Sequence, residues 1–373
     1  MMLRVGITGQ AGFIGTHLYN YLKIRKEEIV VIPFHDDFFE QQSKLEKFVR
    51  ECDTIVHLAA LNRHNEPQTI YDTNVKLVSQ LTASLDKTGS RPHVLFSSST
   101  QEERNNVFGK SKLEGRRLFS EWAERSGGLF TGMIIPNVFG PFGNPYYNSV
   151  IATFSHQLTH NESPRIEIDA NLNLIYVGDL VKTIHFLITN RLGDREFRVQ
   201  PTDEAKVSEL LSLLQSFKDQ YLEHGIIPDL SDPFERNLFN TFVCYIDHSK
   251  YFPYFLSQHD DDRGRFVETV KLHSGGQISF STTRPGITRG NHFHTRKAER
   301  FAVIKGKARI QIRRIGSDEV IDFKLDGSNP SYVDMPIWHT HNITNIGDDD
   351  LYTIFWISEF YNPNDPDTFF EQV

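Results

Sequence analysis

The stretch LRVGITGQAGFIG, residues 3–15, decides the fold of the first half of the chain. Residues 3–7 form an apolar run that predicts a β-strand, and the apolar pattern that continues to about Leu22 predicts a helix. Gly9, Gly12 and Gly15 lie in and just after the turn between them. Glycine lets the backbone approach a pyrophosphate, and the helix N-terminus presents free N–H groups to the anion. The stretch therefore predicts a strand–turn–helix unit that binds a dinucleotide.

Beyond this unit, short β-branched runs alternate with longer amphipathic stretches. The predicted strands are Ile29–Ile32, Thr54–Leu58, His93–Ser97 and Phe130–Ile135, and the predicted helices include Gln68–Asp86 and Lys110–Arg125. Strands that alternate with helices indicate a parallel sheet covered by helices on both faces. The first half of the chain is therefore predicted to be an α/β domain of the Rossmann type.

The second half of the chain has a different pattern. A helix is predicted over Ser208–Tyr221, and Pro228–Pro253 shows no clear period. From Phe266 onward, short strands are separated by Gly, Asp and Pro turns, which is typical of an all-β barrel or sandwich. Its predicted strands are Gln277–Ser281, Arg300–Ile304, Ala308–Ile315 and Tyr352–Ile357. We place the boundary near Asp247, which gives domains 1–246 and 247–373.

Composition narrows the possible functions. A length of 373 residues favours two domains, and a net charge of -8 argues against nucleic acid as a main partner because phosphate binding needs a basic face. Only two cysteines occur, far apart, which suits a reducing compartment. No apolar run reaches the roughly 20 residues of a membrane helix, and a strand at residue 3 leaves no room for a signal peptide. We therefore expect a cytoplasmic protein without a membrane segment.

The G-x-x-G-x-x-G spacing resembles the extended short-chain dehydrogenase/reductase family of sugar-nucleotide enzymes. Further matches to that family are His57–Ala60, Asn74, Ser97–Ser99, Pro136–Pro141 and Tyr176–Asp179. The resemblance implies catalytic roles for Ser99 and Lys112. It implies cofactor contacts by Gly9, Gly12, Phe13, Ile14, Gly15, Ala59, Asn74, Lys112 and Pro136.

One departure from that family concerns the proton donor. The family pairs a Tyr with a Lys four residues later, and the Tyr exchanges a proton with the substrate oxygen during hydride transfer. Here Lys112 is present, but Phe108 occupies the position of the Tyr. Two interpretations remain open: a domain that only binds nucleotide, or a reductase that recruits another donor such as Ser99 or Tyr147.

The preferred cofactor also follows partly from the resemblance. An acidic residue about 20 positions past the glycines usually binds the ribose 2′-OH and favours NAD. The segment His35-Asp36-Asp37 occupies that region. The similar enzymes prefer NADP(H), so we expect NADP(H), with NAD(H) as the alternative.

In the second half, one motif has the spacing of metal ligands. The pattern Gly286-x5-His292-x-His294-x4-Glu299-x6-Gly306 matches the first cupin motif. Residues i and i+2 of a strand share a face, so His292 and His294 can reach one point inside a barrel. Glu299 is predicted to return on the next strand, and His341 to arrive from the opposite sheet. Three imidazoles and a carboxylate suit Zn²⁺, and Fe²⁺, Mn²⁺ or Ni²⁺ would also accept them.

The second cupin motif is matched by Pro336-x-Trp338-x2-His341-x3-Asn345, with Trp338 and Pro330 where glycines are expected. The segments Asp261–Glu268 and Arg289–Phe293 resemble dTDP-sugar 3-epimerases of the cupin type. In those enzymes the histidine after the Arg-Gly pair is the base. Because His292 is assigned to the metal here, His339 becomes the candidate base. Lys297 is expected to be a solvated turn residue.

Taken together, the two halves resemble the bifunctional capsular-polysaccharide enzymes that make UDP-N-acetyl-L-fucosamine precursors in bacteria. The resemblance extends to Tyr361–Thr368. It implies a UDP-sugar substrate, C3 epimerisation in the cupin domain, C4 reduction in the first domain, and a homodimer. The alternatives are a 3-epimerase whose first domain only binds nucleotide, and a non-catalytic regulator that binds metal and nucleotide.

Overall fold

The structure, a computed structural model, describes residues 2–373 and divides into two compact units. The first unit comprises the chain up to Val150 together with Ile168–Val207, and the second comprises Ile151–Glu167 together with Ser208–Val373. The predicted boundary near Asp247 lies inside the second unit, because helices before it pack against the β-strands that follow. Within residues 2–373, no helix is long and apolar enough to cross a bilayer.

The α-helices are α1 (Phe13–Lys23), α2 (Gln42–Glu51), α3 (Pro67–Thr88), α4 (Val107–Ser126), α5 (Val150–Thr159), α6 (Val177–Asn190), α7 (Val207–Phe217), α8 (Pro233–Val243) and α9 (His248–Tyr251). Short 3₁₀ helices cover Asp36–Phe39 and Thr100–Glu103, and a π-helical turn covers Lys218–Glu223.

The strands of the first unit are β1 (Leu3–Thr8), β2 (Ile29–Ile32), β3 (Thr54–His57), β4 (His93–Ser99), β5 (Phe130–Ile135), β6 (Asn137–Phe139), β7 (Asn171–Tyr176), β8 (Phe197–Arg198) and β9 (Asp203–Lys206). Those of the second unit are β10 (Ile226–Ile227), β11 (Tyr254–Phe255), β12 (Gln258–Asp261), β13 (Gly264–Val267), β14 (Lys271–Leu272), β15 (Gln277–Thr283), β16 (Thr288–Phe293), β17 (Glu299–Lys305), β18 (Lys307–Arg314), β19 (Val320–Asp326), β20 (Ser331–Met335), β21 (His339–Asn345), β22 (Leu351–Ile357) and β23 (Phe369–Phe370).

The first unit is built on a parallel sheet in the order β2-β1-β3-β4-β5-β8. Helices α1 and α6 pack their buried leucines and isoleucines on one face of this sheet, and α2, α3 and α4 cover the other. The strand order reverses direction at β1, which opens a crevice at the carboxyl ends of the strands. The predicted Rossmann fold with a parallel sheet is confirmed.

The second unit contains two antiparallel five-stranded sheets, β11-β20-β17-β22-β15 and β19-β18-β21-β16-β23. Buried side chains from both sheets, including Phe301, Val303, Ile310 and Ile312, form one hydrophobic cluster. Two sheets that share a core in this way make the all-β cupin architecture predicted from the short strands after Phe266. That prediction is confirmed.

The stretch Pro228–Pro253, for which the sequence showed no clear period, contains helix α8. Asp232 caps this helix by accepting a hydrogen bond from the backbone N–H of Glu235, and Pro233 follows at the first helical position. Both residues are helix-start signals. The helix was missed because residues 238–243 are all buried, including the polar Asn240 and Thr241, so polarity along the sequence does not follow exposure there.

A buried ion pair joins the helical part of the second unit to its β-strands. The Arg300 guanidinium, 1% exposed, donates to both oxygens of Asp334 at 2.8 and 2.9 Å. The hydroxyl of Tyr221, from the π-helical turn, donates to the same carboxylate at 2.5 Å. Burial lowers the pKa of Arg300 on its own, but Asp334 outweighs this and raises it above its ordinary value. The charge of Arg300 is therefore neutralised almost entirely by Asp334.

We predict that Asp334→Ala destabilises the second unit by about 3–5 kcal/mol, because it leaves a buried guanidinium without its partner. Asp322→Ala is the matched control: it breaks the exposed Arg309–Asp322 pair and should cost no more than about 1 kcal/mol. Denaturant unfolding of the full chain measures both, and hydrogen exchange of the β17 and β20 amides assigns the transition. Equal effects of the two substitutions would contradict the prediction.

Candidate functional site

A cavity of about 990 Å³ lies at the carboxyl ends of the first-unit strands. Its wall includes most of the residues that the sequence predicted as cofactor contacts. These are Gly9, Gly12, Phe13, Ile14, Gly15, Ala59, Lys112 and Pro136, and the wall also includes the predicted catalytic Ser99 together with Phe108 and Tyr147. The volume lies at the upper end of the range for ligand sites, which suits an extended ligand such as a dinucleotide.

The glycine turn is packed too closely for other residues. Gly9 adopts a φ of +69°, and a Cβ there would lie 2.7 Å from the Ala59 nitrogen. A Cβ on Gly15 would lie 2.1 Å from the Gly9 carbonyl oxygen. Gly12 precedes α1, and no side chain caps that helix. The first N–H groups of α1 thus face the cavity without a side-chain partner and can receive an anion.

Asn74 does not line the cavity, in contrast to the direct cofactor contact that the resemblance implied. It is buried on α3, where its amide accepts from the Leu61 N–H (2.7 Å) and donates to the Leu61 carbonyl (3.0 Å). It also donates to the Ser111 hydroxyl. Asn74 therefore fixes the loop that follows Ala59, and its influence on a bound cofactor is indirect.

Lys112 projects from α4 into the cavity wall while its side chain is almost fully buried. Its ammonium donates to the Ser97 carbonyl at 2.8 Å and lies 5.5 Å from the centre of the Phe108 ring. Within residues 2–373 no carboxylate forms an ion pair with it, and both of its hydrogen bonds go to Ser97. Burial therefore lowers the pKa of Lys112 to about 7.

Two hydroxyls in the same wall could replace the missing Tyr oxygen at Phe108. Ser99 ends β4, and its Oγ accepts a hydrogen bond from the Gln101 backbone N–H at 3.2 Å. Because that bond uses a lone pair, the Ser99 hydrogen is available to an acceptor in the cavity. Tyr147 lies in the loop after β6 and also lines the cavity.

Sequence reasoning missed several charged residues of this wall. Arg63, in the loop after β3, lines the cavity and donates to the Tyr146 carbonyl at 3.2 Å. Glu40 and Lys76 were missed as well, whereas Asp36, which also lines the cavity, belongs to the acidic segment that the sequence indicated. A carboxylate at Asp36 suits a ribose 2′-OH, whereas Lys76 suits a 2′-phosphate, so the preference for NADP(H) stays a prediction. Only proximity in the fold distinguishes these side chains from ordinary surface charges.

The second unit brings the four predicted metal ligands together. The ligand atoms of His292, His294, Glu299 and His341 all lie within 4.8 Å of one another. The Oε2 atom of Glu299 lies 3.2 Å from Nε2 of His294 and 3.0 Å from Nε2 of His341. His292 completes the group, with its ring centre 4.7 Å from that of His341.

The predicted placement of His341 was wrong. His292 and His341 are paired neighbours on β16 and β21 of one sheet, and Glu299 comes from β17 of the other. The turn after β16 carries the chain across to the second sheet, so the carboxylate approaches from that sheet. Spacing along a strand can be read from the sequence, whereas the pairing of strands depends on contacts between distant segments.

The chemistry of this cluster fits a divalent cation. Within the described residues, Nε2 of His294, Nε2 of His341 and Oε2 of Glu299 are buried without a hydrogen-bond partner. Burial would raise the pKa of Glu299, but the two imidazoles outweigh it and hold that pKa well below its usual range. Burial lowers the pKa of His292 to about 4. Burial would lower the pKa of His294, but Glu299 outweighs it and raises that pKa. Metal binds an ionised carboxylate and neutral imidazoles, so an ion held by His292, His294, Glu299 and His341 would displace a proton from His294.

Two other predicted residues of this unit lie deeper than expected. His339, the candidate base, is buried with its ring centre 5.8 Å from that of His248, and burial lowers its pKa to about 3. A base with so low a pKa is weak, and the assignment of His339 stays a prediction. Lys297 was expected to be solvated, which was wrong: it is 1% exposed and donates to the Pro366 carbonyl at 2.7 Å.

Trp338 stands where the second cupin motif has a glycine, and it adopts a glycine-like φ of +60°. Its backbone N–H donates to the carbonyl of His294 at 2.7 Å, and its ring stacks on Phe293. These contacts hold a backbone conformation that non-glycine residues rarely adopt. The turn before β21 therefore keeps the shape of the motif without its glycine.

Comparison with known families agrees with both halves. Residues 5–199 match the NAD dependent epimerase/dehydratase family, and residues 259–369 match the polysaccharide biosynthesis C-terminal domain. The first match covers more than half of the chain, and it contains the glycine turn and the cavity described above. The chain therefore belongs to the NAD-dependent epimerase/dehydratase family, in the group of capsular-polysaccharide enzymes that carry this second domain.

Individual relatives extend the match to the full length. The UDP-2-acetamido-2,6-beta-L-arabino-hexul-4-ose reductase of Pseudomonas aeruginosa is 32% identical over 98% of both chains. The crystal structure of the capsular polysaccharide assembling protein CapF from Staphylococcus aureus covers 100% of both chains with 34% identity and a TM-score of 0.64. RMD from Pseudomonas aeruginosa, complexed with NADPH, covers 58% of this chain and 83% of its own at 21% identity and a TM-score of 0.54. This last likeness concerns the fold alone.

The burial of Lys112 predicts a pH-dependent stability. Its pKa is about 7 when folded and about 10.5 when unfolded, so between these values the unfolded state binds the extra proton. The stability of the wild type relative to Lys112→Met should therefore rise from pH 7 to pH 10, by up to about 1.4 kcal/mol per pH unit. Denaturant unfolding measures this, with exposed Lys110→Met on the same helix as control. Parallel curves for wild type and Lys112→Met would refute it.

Proposed function

We propose that this protein converts a UDP-4-keto-6-deoxy-N-acetylhexosamine in two steps for capsule or O-antigen precursors. The second unit epimerises C3 with a divalent metal, Zn²⁺ in the first instance, and the first unit then reduces the C4 ketone with NAD(P)H. The observation that carries the proposal is the convergence of three buried, unpaired ligand atoms on one point in a chain that also has the glycine-lined cavity. The reductase named among its relatives supports it.

The order of the two steps follows from carbonyl chemistry. A proton on C3 is acidic only while C4 is a ketone, since the carbonyl delocalises the negative charge that remains after the proton leaves. Reduction of C4 removes this activation, so epimerisation has to come first. A divalent cation held by His292, His294, Glu299 and His341 would supply positive charge where that negative charge develops.

In the first unit, the protein groups position the sugar nucleotide and supply a proton. The nicotinamide supplies the hydride, and the C4 oxygen then takes up a proton. With Phe108 in place of Tyr, Ser99 and Tyr147 are the proposed donors. The bond from the Gln101 N–H uses a lone pair of the Ser99 oxygen, so it leaves the hydroxyl hydrogen for the substrate. Lys112, next to Phe108, is proposed to contact the cofactor ribose.

Phe108 also favours a second candidate, a 3-epimerase whose first unit binds nucleotide without reducing the sugar. A single assay distinguishes the candidates: incubation of a UDP-4-keto-6-deoxy-N-acetylhexosamine with NADPH or NADH in deuterated water. Deuterium at C3 together with cofactor oxidation supports the two-step proposal, and deuterium alone supports the 3-epimerase. Neither signal would contradict both enzymes and favour a regulator that binds metal and nucleotide.

The proposed metal site leads to a prediction about stability. Protein purified without chelator should contain one divalent metal per chain, and His341→Ala should lower the melting temperature because metal binding adds to the folding free energy. Elemental analysis and thermal unfolding measure these effects. His259→Ala replaces an exposed histidine of the same unit and should change neither. Failure of the wild type to contain or take up zinc would disprove the site.

The missing hydroxyl at residue 108 leads to a prediction about rate. Phe108→Tyr restores one oxygen one helical turn from Lys112, and cofactor oxidation should become roughly tenfold faster or more, within the range of a general acid. Exchange of the C3 proton should not change, because that step belongs to the second unit. Phe186→Tyr, at an exposed position of α6, is the matched control. Unchanged or slower oxidation would show that another group already donates the proton efficiently.

A further inference from the structure

The segment Asp365–Glu371 runs alongside the strand that carries His292. Its strand β23 pairs antiparallel with β16, with Phe370 opposite His292 and Phe369 opposite Phe293. The backbone N–H of Glu371 extends the pairing by donating to the Asn291 carbonyl at 3.0 Å. The segment is therefore the outermost strand of the sheet that supplies two of the three histidines.

Asp367 is the point at which this segment contacts the ligand cluster. It is 3% exposed, and its backbone carbonyl accepts the hydrogen of Nδ1 of His294 at 2.5 Å. Its carboxylate accepts from the backbone N–H groups of Thr295, Arg296 and Lys297 at 3.0–3.3 Å. It also accepts from the Thr295 hydroxyl at 2.6 Å. One residue thus binds a ligand histidine and the whole turn that follows it.

We propose that Asp367 is a positioning residue of the metal centre, which fixes both the tautomer of His294 and the turn that separates His294 from Glu299. The inference rests on the metal site proposed above and assigns to it a residue 73 positions after His294 in sequence. Asp367 touches no reacting atom and acts through His294 and the turn.

The tautomer follows from the bond partner. A carbonyl oxygen can only accept, so Nδ1 of His294 must carry the hydrogen, and the lone pair of the neutral ring is then on Nε2. Nε2 is the atom that lies 3.2 Å from Glu299. An outer hydrogen bond of this kind orients a ligand histidine and strengthens its binding to metal.

The turn is held by an unusual concentration of bonds. Three successive backbone N–H groups and one hydroxyl share the Asp367 carboxylate, so residues 295–297 cannot change conformation without leaving it unpaired. Because β17 begins at Glu299, this turn sets the distance between two ligands. Asp367 itself has a φ of +42°, a conformation that Asp, Asn and Gly tolerate better than other residues.

The same segment also contacts the strand of the third histidine. The hydroxyl of Thr340, next to His341 on β21, donates to the Glu371 carbonyl. Arg313, on the neighbouring strand β18, pairs with the Glu371 carboxylate at 3.1 Å. The segment therefore connects β16, the turn and β21, which together contribute His292, His294 and His341.

The test measures metal affinity in the full chain. Asp367→Gly removes every carboxylate bond while permitting the positive φ, and it should weaken Zn²⁺ and Co²⁺ binding by about 10–100-fold, measured by competition with a chelator. The absorption spectrum of bound Co²⁺ should also change. Asp367→Asn keeps one acceptor oxygen and should restore part of the affinity. Asp365→Ala is the control on the same segment. It breaks the exposed pair of Asp365 with Arg296 and should leave affinity and spectrum unchanged.

Wild-type affinity and an unaltered Co²⁺ spectrum in Asp367→Gly would overturn the inference while leaving the metal site intact. No metal binding by the wild type would instead overturn the metal site and the inference with it. Should Asp367→Gly fail to fold, nitrogen NMR of the wild type decides: hydrogen on Nδ1 of His294 with and without Zn²⁺ supports the inference. Absence of hydrogen on Nδ1 of His294, with or without Zn²⁺, would overturn it.

Discussion

The second unit is organised around a carboxylate that is buried among histidine rings. Burying Glu299 in its ionised form is costly unless positive charge or hydrogen-bond donors surround it. The structure places three imidazoles around it but leaves the facing atoms of His294, His341 and Glu299 without hydrogen bonds. Positive charge at this point would stabilise the ionised carboxylate of Glu299. The cation that we propose would supply this charge, and the same charge would activate the ketone of the proposed substrate.

Several elements of the second unit bring Glu299 and the three histidines together. Glu299 has to come from one sheet and the histidines from the other, so the cluster exists only when the two sheets pack. Asp367 holds the turn between the sheets, and Trp338 bonds to the backbone of His294 from the turn before β21. Arg300, the residue after Glu299 on β17, pairs with Asp334 of β20, which also accepts from Tyr221 in the helical part of the unit. The metal centre and the stability of the unit therefore depend on shared strands.

The first unit has a different constraint: the backbone of its glycine turn has to lie close to the bound phosphate. Gly9 and Gly15 leave no room for side chains, so a phosphate can approach the start of α1. Phe108 adds an apolar ring where the family places a hydroxyl, and it covers a lysine that has no carboxylate partner. Burial consequently lowers the pKa of Lys112. In the proposed reaction, another group of the wall would supply the proton for the sugar. The cavity is suited to bind a nucleotide. As a proposed reductase site, it differs from the family pattern in the oxygen that Phe108 lacks.

The sequence by itself determined the local features: the glycine turn, the alternation that makes a parallel sheet, the short strands of the second half and the spacing of the metal ligands. These follow from backbone geometry, periodicity and motif spacing, and the structure brings the four proposed ligands together. Tertiary structure alone decided which sheet carries His341, that Lys297 is buried, that Asn74 supports a loop, and that Asp367 bonds to His294. Each of these depends on strand pairing or on contacts between distant segments. Such contacts are set by how whole faces pack, and no local pattern in the chain encodes them.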